Sequence, residues 1–454
     1  MSLLEAAESS PRDVALVEEA TERQWTYAAL RDEVARRARQ ITGRRRLVFV
    51  FCANRAESVF AYLAALETES AVCLLDAAAS QEMKAALVAH YEPAFVFEPD
   101  VPDAADRAAA GTPLHPDLTL LLPTSGTTGS PKLVRLSTRN LLSNARSIAT
   151  YLDITSAERA ITTLPMHYSY GLSVVNSHLL TGASLLLTEH SVLRPEFWKA
   201  AAAHRITSMA GVPYVYTLLA RLNGERFFPG SLRTVTQAGG RLAPDLVDRF
   251  RRAMETRDGR LFVMYGQTEA TARIAYVPPE RLADKIGAVG IAIPGGRLCV
   301  VDGEREYTAP GVAGEVVYEG PNVMMGYACE RGDLEHGDEL GGRLHTGDLG
   351  RFDADGYLFL TGRTKRFAKI FGLRVNLDEI EAAVHGVGPV AAVSDDEKIV
   401  VWCENVGGAR LEGIRTELSA RFRLNVNVIE VRSVEKLPRM GSGKTDYARL
   451  QERV

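Results

Sequence analysis

Residues 124–132, TSGTTGSPK, bring the hydroxyls of Thr124, Ser125, Thr127 and Thr128 together with Gly126, Gly129 and the ammonium of Lys132. Glycines let backbone N–H groups approach a ligand, the hydroxyls add donors and the lysine adds a point charge, a combination suited to a polyphosphate. The Walker pattern G-x-x-x-x-G-K-[ST] cannot be fitted to it. A second G-K-T, in PRMGSGKTD (438–446), has Pro438 where the first glycine must stand. It reads as an exposed turn carrying Lys444, which disfavours a P-loop nucleoside triphosphatase. MYGQTEA (264–270) offers Thr268 and Glu269 just after a strand-like run, where a metal–phosphate site would use them. HTGDLG (345–350) sets Asp348 in a glycine-flanked stretch, ready to accept from a diol or to close an Asx-turn. GRTKRFAKIFGLRVN (362–376) gathers five basic residues.

These segments need elements to hold them. The runs LVFVFC (47–52), SLLLTE (184–189), LRTVTQ (232–237) and RLFVMY (260–265) read as buried strands. Helical periodicity over 28–39, 141–152 and 243–254 alternates with them, which predicts layered α/β subdomains with largely parallel sheets. A strand-like LTLLL precedes the hydroxyl-rich loop, and Ser137 or Thr138 is placed to cap a helix soon after it. Gly and Pro cluster between 286 and 347, marking a β-rich subdomain. Beyond about residue 362 a small α+β domain is expected, with Asn376 capping a helix and a strand–helix–strand order through IVVWCEN, 411–422 and VNVIEV. The expected division is a large N-terminal α/β domain, 1–361, and a small C-terminal α+β domain, 362–454.

The chain has 454 residues, 46% hydrophobic and 24% charged, with 53 Lys and Arg against 57 Asp and Glu. That length predicts more than one domain. The balance argues against non-specific nucleic-acid binding, which needs a basic surface. Five scattered cysteines without a C-x-x-C pair argue against a disulfide framework or zinc site and for a reducing cytoplasm. No signal peptide or membrane span is expected.

Taken in order, TSGTTGSPK, YGQTEA, TGDL, GRTKRFAK and P-R-x-x-S-G-K resemble the acyl-adenylate-forming (AMP-binding) superfamily of acyl- and aryl-CoA synthetases, luciferases and nonribosomal peptide synthetase adenylation domains. The resemblance implies that ATP and Mg²⁺ are used to activate an acid as its adenylate, followed by transfer to CoA or to the phosphopantetheine of an acyl carrier protein. By the same resemblance Thr124–Gly129 and Lys132 hold the outer phosphates, and Gly240 and Arg241 lie at the adenine, with Gly266 nearby. Tyr265 stacks on the base, Thr268 meets the α-phosphate and Glu269 holds Mg²⁺. Asp348 accepts the ribose hydroxyls with Arg363 nearby. Lys444 bridges carboxylate and α-phosphate, Lys365 is the hinge, and Lys369 and Gly372 face the thiol after the small domain rotates.

Several positions depart from the family pattern. LPMHYSYG (164–171) has Tyr168 where a histidine is usual and displaces the histidine to His167. Thr138 replaces a frequent histidine, and Arg241 a small residue. Tyr168, Tyr170, Val212 and Gly239, with Gly266, are the expected acid-pocket lining. No Asp or Glu occurs between Ala160 and Thr188, so an amino-acid ammonium would lack its partner. A plain acyl or aryl acid is therefore expected, with another anion such as nitrite, or a nucleotide-binding regulator without turnover, as the alternatives. The abbreviated N-terminal region resembles short stand-alone members of biosynthetic clusters.

Overall fold

All six residues of the strand Leu47–Cys52 are buried, as an apolar run without alternation requires of a strand covered on both faces. The computed structural model describes the chain except residues 1–2, 6–9, 100, 102–104, 107–112, 124–131, 365, 371–372, 385, 396, 423 and 441–442. It divides into two compact units.

The first unit comprises residues up to 123, 132–297 and 318–344. Among the described residues it holds two large sheets. One runs in the order Gly326–Ala328, Leu133–Ser137, Leu118–Pro123, Ala71–Asp76, Leu47–Cys52, Phe95–Phe97, Ala105–Asp106. The other runs Ile291–Ala292, Ala275–Val277, Arg260–Tyr265, Thr234–Gln237, Ser208–Gly211, Arg159–Ile161, Ser184–Leu187, Val14–Glu18, Arg23–Thr26. Its middle strands are parallel, with Gly211 beside Gln237 and Gln237 beside Val263. Helices Tyr27–Ala38, Ala56–Glu67, Thr138–Leu152 and Ser169–Leu180 share one hydrophobic core with both sheets. Burial of each large aliphatic or aromatic side chain there contributes about 1.5–3 kcal/mol.

The hydroxyl-rich segment connects the antiparallel strands Leu118–Pro123 and Leu133–Ser137, which pair Pro123 with Leu133. The second of these strands fills the stretch between the loop and the helix start that the sequence sets at Ser137 or Thr138. Ser137 caps that helix: its Oγ accepts from Asn140 N, and Asn140 Oδ1 accepts from Ser137 N, a reciprocal box.

The second unit draws on 298–317 and 345–454. Its cross-strand pairing of Arg343–Phe352 with Leu358–Arg363 sets Asp348 opposite Arg363. Toward its C-terminal end, Val390–Ser394, Ile399–Glu404 and Ile429–Val434 form a sheet against helices Leu377–Ala383 and Gly408–Phe422. Asn376 caps the first of these helices by accepting from Asp378 N. No helix among the described residues is long and apolar enough to cross a membrane, and all five cysteines are free thiols.

Candidate active site

Three parallel neighbours, Ser208–Gly211, Thr234–Gln237 and Arg260–Tyr265, end along one edge of their sheet and release consecutive turns there. The carboxyl edge of parallel strands is where α/β folds collect ligand-binding residues. Val212 leaves the first strand, Ala238–Arg241 the second and Gly266–Glu269 the third. The motif LPMHYSYG follows the next strand, Arg159–Ile161, and opens the buried helix Ser169–Leu180.

Contacts draw these turns together. A Cβ on Gly239, which has φ +86°, would lie 2.6 Å from Tyr168 Oη and 3.1 Å from Val212 Cγ1, so only glycine fits between them. Gln237, buried, holds that turn by donating to Gly240 O at 2.8 Å. Gly240 and Arg241 are exposed beyond it. Ser169 Oγ and Thr268 Oγ1 are 3.2 Å apart. Gly266 is packed so closely that a Cβ would sit 1.8 Å from Ala272 O. Tyr265 is buried, with its hydroxyl accepting from Gln267 Nε2 at 3.3 Å.

The acid-pocket candidates split. Tyr170 is a core residue whose hydroxyl meets Thr236 Oγ1 at 2.7 Å, whereas Tyr168 is half-buried and meets Tyr170 edge to face at 6.3 Å. Burial pushes the Tyr168 hydroxyl up to about 12, against the opposing charge of Arg273. Burial also lowers the pKa of His167, countered by Asp76, and its Nδ1 has no hydrogen-bond partner among the described residues. A neutral imidazole follows.

Lys132, Tyr327 and Glu269 form a cluster that no motif announces. Lys132 precedes the strand Leu133–Ser137, and Tyr327 lies on the paired strand Gly326–Ala328. The Lys132 ammonium rests 3.2 Å from the Tyr327 ring centroid, and the Tyr327 hydroxyl donates to Glu269 Oε1 at 2.9 Å. Glu269 is further anchored through its carbonyl, which accepts from Met324 N at 2.8 Å. Its Oε2 has no partner among the described residues. A hard cation that keeps waters and phosphate oxygens needs only one or two such carboxylates, so this donor set fits Mg²⁺. Sequence reading also passed over Arg273, which is 2% exposed and lies over the Tyr170 ring at 4.0 Å.

In the second unit Asp348 is 3% exposed and sits in a strand rather than an Asx-turn, accepting from Arg363 Nε at 2.9 Å. Lys444 occupies a hairpin: Met440 N donates to Lys444 O and Gly443 N to Met440 O, both at 2.9 Å, with Arg439 bridging Thr445. A hairpin is not the strand–loop–helix of a P-loop. Three residues on, Tyr447 Oη donates to Glu381 Oε2 at 3.1 Å, and Arg366 joins that carboxylate at 2.7 Å. Lys369 is in the strand Phe367–Ile370, paired in register with Arg374. Thr124, Ser125, Gly126, Thr127, Thr128, Gly129, Lys365 and Gly372 lie outside the described residues.

A family model described as AMP-binding enzyme matches residues 102–328. Sulfoacetate–CoA ligase of Cupriavidus necator is 31% identical over 366 residues, covering 78% of this chain and 70% of that one. The chain belongs to the AMP-binding enzyme family. Feruloyl-CoA synthase of an Amycolatopsis species is 32% identical over 364 residues, covering 75% of this chain and 71% of the other. The fold matches that of O-succinylbenzoate coenzyme A synthetase from Bacillus subtilis in complex with AMP, with TM-score 0.81 at 23% identity over 99% of this chain and 97% of that one. The large N-terminal and small C-terminal parts of this AMP-binding enzyme agree with the α/β architecture read from its sequence.

Proposed function

We propose that this AMP-binding enzyme joins a carboxylic acid to a thiol through an acyl-adenylate. The observation that supports it most is the convergence of three strand-end turns on Tyr168, Gly239 and Thr268, beside a Glu269 carboxylate oriented by Tyr327. A carboxylate oxygen bonds to the α-phosphorus of ATP, the bond to the β-phosphate oxygen breaks, and pyrophosphate leaves. The nucleophile is ionised at neutral pH, so no general base is required. Mg²⁺ held at Glu269 would neutralise phosphate charge, and the Lys444 ammonium would bridge the reacting carboxylate and α-phosphate. Residues 124–129 with Lys132 would hold the outer phosphates, Thr268 the α-phosphate, and Gly240, Arg241 and Tyr265 the adenine. Asp348 would accept the ribose hydroxyls with Arg363 beside it.

In the second half-reaction a thiol attacks the acyl carbon, AMP departs and the thiol proton is released. We assign residues 362–454 to a cap that turns about Lys365 to bring Lys369 and Gly372 to that step, with 1–361 as the body. CoA is the acceptor that the names of the relatives favour. A carrier-protein phosphopantetheine is the alternative, and the five free thiols fit work in a reducing cytoplasm.

The test is an acid panel scored by pyrophosphate release with hydroxylamine trapping, followed by CoA and a holo carrier protein for every positive acid. Orthophosphate release, or no turnover with any acid, would reject the reading.

A further inference from the structure

Behind Tyr170 lies a second compartment that the acid pocket's motif does not mention. The Arg273 guanidinium covers the Tyr170 ring, and its charge opposes the burial that raises the Tyr151 hydroxyl, while its Nε is buried without a partner. No carboxylate among the described residues pairs with this cation. A buried charge without a counter-ion is costly, so a chain that keeps one has a use for it. Its backbone is anchored, because its carbonyl accepts from Asn322 Nδ2 at 2.9 Å and Asn144 Nδ2 at 3.4 Å. It is also tied to the nucleotide turn, since a Cβ on Gly266 would lie 2.9 Å from Arg273 Cα.

Arg273 lines a cavity of ≈ 30 Å³ between helices Thr138–Leu152 and Ser169–Leu180 and strands Ser208–Gly211 and Thr234–Gln237. At about 10–15 Å³ per water, that is room for two or three waters, the size of a carboxylate or sulfonate and not of an alkyl chain. The other polar groups in its wall are committed. Ser173 Oγ donates to Tyr170 O, Ser208 Oγ meets His178 Nε2, and Thr236 meets Tyr170. His178 is neutral, since burial lowers its pKa to about 4. Glu158 also borders the cavity, but its Oε2 accepts from the Thr207 hydroxyl. Arg273 is therefore the charged donor with capacity to spare, one ring away from Tyr168.

We propose that Arg273 and this cavity form a subsite for a second anionic group on the acid substrate, a carboxylate or sulfonate at the end remote from the reacting carboxyl. The reacting carboxyl rests on the adenylation reading; the remote anion rests on Arg273 alone. The substrate is then a dianionic acid, a narrower class than the plain acyl or aryl acid read from the sequence.

The experiment compares succinate with butyrate on the full chain, for wild type, Arg273→Met and Arg273→Lys, with thermal melts as the folding control. Two readouts are taken: kcat/KM for pyrophosphate release, and calorimetric binding of the acid without ATP. Wild type should favour succinate by about 10- to 100-fold, the range of a hydrogen bond to a charged group. Arg273→Met should erase that preference, Arg273→Lys should restore part of it, and the KM for ATP should hold. Equal or better use of butyrate by wild type overturns the subsite, as does an equal fall for both acids in Arg273→Met. If Arg273→Met does not melt cooperatively, the wild-type preference and Arg273→Lys decide. Arg273-dependent succinate binding without pyrophosphate release keeps the subsite and rejects adenylation. Pyrophosphate release from butyrate without succinate binding does the reverse.

Discussion

Tyr327→Phe separates two tasks carried by one side chain. The phenyl ring still offers the face on which the Lys132 ammonium rests, and only the hydroxyl that donates to Glu269 at 2.9 Å is lost. A hydrogen bond to a charged group is worth about 1.5–3 kcal/mol. Glu269 is half-buried, and water can stand in for the hydroxyl, so the loss should be about 1–2 kcal/mol, or about 5- to 30-fold. If Glu269 holds Mg²⁺, the loss must fall on the metal, because a misoriented ligand weakens its ion first. The assay is pyrophosphate release at saturating acid and ATP while Mg²⁺ is varied. The half-saturating Mg²⁺ should rise about 10-fold, with the KM for the acid and the melting temperature unchanged. A full-rate variant with wild-type Mg²⁺ dependence would refute the assignment of Glu269. A loss confined to the acid KM would move the cluster's role to the substrate.

Lys444→Ala should abolish adenylate formation while leaving ATP binding by calorimetry largely intact; wild-type pyrophosphate release would remove the lysine from the reaction. Lys369→Ala should slow thioester formation by more than it slows adenylation, and an equal loss in single-turnover measurements of both steps would count against a rotating cap. Gly266→Ala should cost stability or solubility, because its Cβ would meet the Ala272 carbonyl at 1.8 Å; a wild-type melting curve would contradict that packing. For His178, burial lowers the folded pKa to about 4, below its ordinary value of 6.5. Between those values the unfolded chain binds a proton that the folded chain does not, so stability falls as pH falls. From ~pH 7 to ~pH 5 the loss is about 2 kcal/mol. Urea midpoints of His178→Gln should show less of this acid sensitivity, and an identical pH profile would exclude the histidine as its source.

What could be read from the sequence was local in kind. Period and apolarity marked Leu47–Cys52 and Arg260–Tyr265 as strands, and Ser137 and Asn376 as caps, because these depend on residues a few places apart. The strand Leu133–Ser137 was hidden by Arg135, a charge in the middle of five residues. It is fully buried because Tyr327, His336, Gly337 and Glu339 satisfy it from nearly two hundred residues away. A similar distance concealed Tyr327 as the partner of Lys132, and 58 residues separate it from Glu269. Arg273 went unnoticed because nothing around ATARIA in the sequence distinguishes an arginine that stacks inside from one that points to water. Motifs identified the chemistry; long-range satisfaction of polar groups had to be seen.

Gly239 carries a practical corollary for redesign. Since its missing side chain is the space between the Tyr168 hydroxyl and Val212, this one position works like a spacer between two walls whose own strands are fixed by parallel pairing. A side chain at 239 would strain a backbone held at φ +86°, so under the proposed function the width is tuned from the walls, where trimming Tyr168 or Val212 leaves sheet register untouched. A library confined to residues 168 and 212, with Gly239 kept, thus explores substrate width independently of substrate charge, and the two specificities could be retuned one at a time.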